Sequence, residues 1–154
     1  MAYTKSVYFG IIAGMRSMAA PAFVSDHYSK VHSPEVGDSA LNFIASPITS
    51  SLLKIFAAGE LAADKSSLIP NRIDPGPLTF RAVSGAVCGS TICIAERRPP
   101  VVGVIAGGVA AVASAFACYY LRRKICAVTN LPDVLVGVAE DAFVIGVGSR
   151  LLKD

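Results

Sequence analysis

Between Val101 and Leu121 the chain carries no charged side chain, and no other feature narrows its possible folds so far. A helix over this run, at about 1.5 Å per residue, matches the ~30 Å hydrocarbon core of a bilayer. The run ends in Tyr119 and Tyr120, followed by Arg122, Arg123 and Lys124, the residue types that anchor a span at headgroup level. A core helix of a soluble protein keeps one polar face, and this run has none. Composition agrees, with 53% hydrophobic and 16% charged residues and a mean hydropathy of +0.57, well off the soluble balance.

With that span as reference, four further apolar segments read as helices: about 6–24, 40–63, 78–95 and 133–152. The polar connection from Ser25 to Ser39 and the Pro-, Asn- and Gly-rich stretch from Asp64 to Pro77 separate them. The sequence predicts an all-α, polytopic membrane bundle of about five transmembrane helices in one domain. Arg16, within the first apolar segment, argues against a cleaved secretory signal and for a retained span. Counted over five alternating crossings, Lys5, Lys65, Arg72, Arg81, Arg122, Arg123 and Lys124 share one side against Lys30, Arg97, Arg98, Arg150 and Lys153. That bias leans towards a cytoplasmic amino terminus.

Three segments carry Gly-xxx-Gly pairs, Gly10 with Gly14, Gly85 with Gly89 and Gly103 with Gly107. In lipid the hydrophobic effect does not draw helices together, so close approach through small residues is expected to supply the packing. The segment Gly10–Phe23 aligns without gaps to Gly103–Phe116, with seven of fourteen positions identical. If helices one and two repeat as four and five around helix three, the copies enter from opposite sides, an inverted repeat of the kind transporters use.

Arg16 lies at the middle of its predicted span, at a cost of at least ~2.5 kcal/mol on insertion scales, so it should face the bundle and meet an acid. Glu140 and Asp141 are the natural partners, and adjacent helical residues point about 100° apart, so one of them meets Arg16 while the other stays available to a ligand. A static ion pair that sets helix register is the alternative. Glu60, Asp64 and Lys65, with Arg72 and Arg81 after the proline-rich break, form a second group whose arginines could clamp a carboxylate or phosphate. A solvated interfacial loop is the plainer alternative for each of these.

Other chemistry lacks a motif. The net charge of +3 is scattered over connections, which excludes nucleic-acid binding. Cys88, Cys93, Cys118 and Cys126 have neither zinc nor redox spacing and read as small buried residues. His27 and His32 are five apart, a poor helical spacing for a metal. No cofactor is implied, and neither a serine nucleophile pattern nor a phosphate loop is present.

Gly14-Met-Arg-Ser17 with Pro21, Gly59-Glu-Leu-Ala-Ala-Asp-Lys65, Pro70-Asn-Arg72, Pro77-Leu78, Arg81-Ala-Val-Ser-Gly-Ala86 and Glu140-Asp-Ala-Phe143 resemble the small bacterial membrane proteins grouped as domain of unknown function 4126. The resemblance covers nearly the whole chain and implies an integral protein of the bacterial inner membrane, with no activity to transfer. The functional expectation is a transporter- or channel-like protein, a homo-oligomer such as a dimer, taking an anionic or zwitterionic solute or a lipid headgroup. Its ligand-binding residues would be Arg16, Glu60, Asp64, Lys65, Arg72, Arg81, Glu140 and Asp141. A structural subunit of a larger membrane complex is the alternative, and a metal-dependent enzyme using Glu60 and Asp64 on lipid-linked substrates comes third.

Overall fold

The structure, a computed structural model of the chain, describes residues 1–31, 33–63, 74–129 and 133–152, which form helices and no strand. Seven α-helices are described: α1 (Ala2–Met15), α2 (Ala19–Lys30), α3 (Pro34–Gly37), α4 (Pro47–Ala63), α5 (Pro75–Ala95), α6 (Pro100–Thr129) and α7 (Asp133–Leu151). A 3₁₀ turn at Asn42–Ala45 precedes α4.

The centre of the molecule is a crossing of α1, α5 and α6 built on their glycines. A Cβ added to Gly10 or to Gly85 would run into the same carbonyl, that of Gly107, and one added to Gly89 would strike the Gly103 carbonyl. Gly14 sits equally close to Ala111 and Ser114. Backbones at this separation pack without intervening side chains, which gives close dispersion contact. The register fixes direction. Gly10 faces Gly107 and Gly14 faces Ala111, so α1 and α6 run parallel, while Gly85 faces Gly107 and Gly89 faces Gly103, so α5 runs against both.

The first apolar segment, expected as one helix over 6–24, is two helices, and Pro21 explains why. A continuous helix would need a Pro21 N–H for the Ser17 carbonyl, and proline has none. That carbonyl accepts the Ser84 hydroxyl instead. Arg16 turns extended, with φ −140° and ψ 108°. Ser17 and Met18, whose N–H groups would have bonded back into α1, donate to Glu60. Proline is tolerated in the first turn of the next helix, so α2 restarts at Ala19.

From this break α2 returns towards the level at which α1 began. The charge of Lys5 acts on His27, and that of Glu96, just after α5, acts on Tyr28. Glu35 binds Arg97 at 2.6 Å, and the amino terminus lies 4.0 Å from Glu96. α1 and α2 are therefore the two arms of a helical hairpin whose tip is Arg16–Met18. This corrects two expectations: Lys5 shares an end of the molecule with Arg97 rather than lying opposite it, and an inverted repeat would need α1 and α6 antiparallel. The alignment of Gly10–Phe23 with Gly103–Phe116 extends past the break, so it matches a hairpin to part of one straight helix.

Two described helices, Pro75–Ala95 and Pro100–Val128, are long and apolar enough to cross a membrane. Only 28% of the apolar window of α6 is buried, and Val101, Ile105 and Val109 lie exposed along it. α4 shows Ile48, Leu52, Ile55 and Phe56 on one open face. Exposed apolar rows of this kind fit a lipid- or protein-facing exterior.

Candidate functional site

Four elements converge on the hairpin tip. From α4, Glu60 accepts the Ser17 N–H on Oε1 at 2.9 Å and the Met18 N–H on Oε2 at 2.8 Å. Both oxygens of one carboxylate thus serve two consecutive amides at the positive end of α2, the arrangement by which helix N-termini hold anions. From α5, Arg81 Nη1 donates to the Gly14 carbonyl at 2.8 Å, capping the negative end of α1. Ser84, one turn on, donates to the Ser17 carbonyl. From α7, Asp141 meets Arg16, with Oδ1 2.6 Å from Nη2. From α6, the Ser114 hydroxyl reaches the Ile11 carbonyl at 3.0 Å.

Burial makes these contacts consequential. Arg16 is 2% and Arg81 7% exposed, and the Asp141 side chain is 15% exposed. A buried cation without a counter-charge would cost several kcal/mol, and Asp141 supplies one to Arg16. At Oδ1 the approach is a charge contact rather than an aligned hydrogen bond. Oxygens, amides and two guanidinium groups meet here at the level of Ala111 in α6, the midpoint of the uncharged run from Val101 to Leu121.

Of the residues singled out by sequence, Arg16, Glu60, Arg81 and Asp141 come together. Glu140 turns aside to α6, where its Oε2 lies 3.7 Å from Arg122 Nη1. Asp64, Lys65 and Arg72 lie outside the described residues. Two contributors to the tip carry no mark of their own in the sequence, the backbone amides of Ser17 and Met18 and the Ser84 hydroxyl; Arg122, an interfacial anchor by its position, pairs with Glu140 away from the tip. The usable signals were Pro21, four residues after Ser17, and the i, i+3 spacing of Arg81 and Ser84.

A separate polar cluster lies where α2 meets α4. Hydrogen bonds from Lys30 and then Lys54 hold the Asp26 carboxyl below its usual value. On α3 a bond from its own backbone amide, followed by Arg97, does the same to Glu35. His27 is pushed down by burial and by Lys5. No group of three or more metal-ligating side chains occurs among the described residues.

No curated protein and no solved structure matches the chain. One family model does, that described as Domain of unknown function (DUF4126), and it matches residues 7–151, from the first arm of the hairpin to the end of α7. Nearly the whole molecule, tip and clamps included, falls within that match, and the chain belongs to the DUF4126 family.

Proposed function

We propose that this protein is a small transporter- or channel-like integral membrane protein of the bacterial inner membrane that takes an anionic or zwitterionic solute, or a lipid headgroup, at the hairpin tip. One observation carries the reading: non-helical backbone, two buried arginines and a carboxylate meet at the mid-depth of an uncharged helical run. Irregular backbone at membrane depth is tolerated where it is enclosed by protein or lines a cavity, and half-helix N-termini aimed at anionic groups are how several transporters bind their substrates. In this reading α1 and α2 enter the bilayer as a re-entrant hairpin over Ser6–Val24, and α4, α5, α6 and α7 cross it. That replaces five simple spans by four and a hairpin. Glu60 marks the ligand's place, since a solute carboxylate or phosphate has the same call on the Ser17 and Met18 amides.

So small a bundle encloses little volume, and a path through it forms in or between the subunits of a homo-oligomer, a dimer being the simplest. The test is native mass spectrometry of protein extracted gently from its own membrane, compared with Arg16→Leu. A small anionic mass that is retained by the wild type and lost in the variant supports the reading. Solute flux that survives Arg16→Leu in folded protein overturns it.

The second reading, a structural subunit of a larger membrane complex, draws on the same tip, where Glu60, Arg81 and Asp141 all bind partners inside the chain. It predicts no bound small mass and a stoichiometric partner on purification. The enzyme reading weakens, because both Glu60 oxygens accept backbone amides and have less to offer a metal.

A further inference from the structure

We infer that the outer face of α7 is a binding groove for one anionic phospholipid, distinct from the hairpin tip. The groove is lined by Ala142, Phe143, Gly146, Val147, Arg150 and Leu151, which recur at one-turn intervals and so occupy one face of the helix. Its floor is Gly146, where an added Cβ would meet nothing within 4 Å. Phe143, 55% exposed, forms one wall. Every lining residue is apolar except Arg150, which is exposed in the last turn of α7.

Length and charge together choose the occupant. From Ala142 to Arg150 the helix rises about 12 Å, close to the ~15 Å that one leaflet contributes to a ~30 Å core. A cation thus stands at one end of an apolar trough about one leaflet deep. An acyl chain fits the trough, and a phosphate at the end of that chain reaches the guanidinium. A second copy of this chain fits less well. Two-fold contact through this face brings Arg150 towards its own counterpart, and like charges at the edge of lipid repel.

The inference rests on the membrane reading above and is independent of transport. The test reconstitutes wild type, Arg150→Ala and Gly146→Leu into nanodiscs of mixed phosphatidylglycerol and phosphatidylcholine. Native mass spectrometry then counts retained lipids, and circular dichroism checks helix content. Wild type should retain one phosphatidylglycerol in preference to phosphatidylcholine. Arg150→Ala should lose about fivefold of that preference, the worth of one basic residue at an anionic surface. Gly146→Leu, whose Cβ meets nothing within 4 Å, should lose the retained lipid. Equal lipid retention in all three proteins overturns the inference, and so does a wild-type dimer that Gly146→Leu converts to monomer with no change in lipid. Protein that never enters the nanodiscs overturns the membrane reading itself, whereas insertion without lipid preference overturns this inference alone.

Discussion

Replacing Glu60 by alanine tests whether the tip is an anion site that the chain fills with its own side chain. The change removes one carboxylate and strands two amides, those of Ser17 and Met18, now 2.9 and 2.8 Å from its oxygens. Hydrogen bonds to a charged group contribute about 1.5–3 kcal/mol each, so a dry tip would lose about 3–6 kcal/mol. Glu60 is only partly buried, and water will recover some of that. The expected loss is about 2–4 kcal/mol, with Glu60→Gln intermediate because it keeps one acceptor.

The sharper consequence is rescue. A free carboxylate in solution should occupy the place that alanine vacates. At ten times its dissociation constant, formate would restore about 1.4 kcal/mol to Glu60→Ala. It should leave wild type unmoved, because Glu60 already holds both amides. The assay is thermal unfolding in mild detergent over a formate series, with chloride making up constant ionic strength. A variant as stable as wild type, or one blind to formate, would refute the idea that these amides form an anion site.

Other perturbations separate the forces that hold the molecule. Asp141→Asn removes a counter-charge from buried Arg16 and should cost up to about 3–5 kcal/mol, while the double change Arg16→Leu with Asp141→Leu should recover most of it; a double-mutant cycle in chemical unfolding measures the difference. Gly107→Ala puts a Cβ onto the Gly85 backbone and should destabilise by about 1–3 kcal/mol. Gly146→Ala, unopposed, should gain up to about 1 kcal/mol of helix propensity, and equal effects at the two glycines would contradict the close crossing. Asp26 is held below its ordinary value of 3.8 by Lys30 and Lys54. Its contribution is therefore present above that value and is lost as pH falls through the lower, folded one. Both lysines are more than half exposed, so about 1 kcal/mol at most is at stake, and Asp26→Asn should flatten the acid limb of stability below about pH 4.

Charges in apolar surroundings were the legible part of this chain. Arg16, Glu60, Arg81 and Asp141 stand out in sequence because each is costly where it lies, and cost demands a partner. Their convergence follows from the same demand. Direction was not legible. Apolar periodicity is identical whether Ser6–Val24 continues straight or doubles back, and only Pro21 separates the two, through a carbonyl it cannot serve. The Gly10–Phe23 alignment misled for a related reason: alanine and glycine report that helices approach closely but say nothing of their orientation. Which acid meets Arg16 depends on a 100° rotation of α7, and the answer, Asp141 with Glu140 sent to Arg122, needed the packing of α7 on α1 and α6.

The clamps on the tip are unequal, and that asymmetry indicates which helix moves if a solute enters. Withdrawing Asp141 would take a counter-charge at 2.6 Å from buried Arg16, at a cost of several kcal/mol. Withdrawing Glu60 frees two amides that an incoming carboxylate satisfies at once, so the exchange is nearly balanced. α4, which carries Glu60, packs chiefly on α2 and the preceding 3₁₀ turn. Its opposite face, with Ile48, Leu52 and Phe56, is open. α5 and α6 by contrast are locked to α1 at glycine crossings that leave no room to slide. Movement of α4 away from a stationary tip is therefore the least costly way to admit a ligand. Spin labels at Leu52 and Phe143, both exposed, should report a shift in the α4–α7 distance as formate is added to Glu60→Gln. An unchanged distance, in protein whose stability does respond to formate, would mean that the anion enters beside Glu60 rather than in its place.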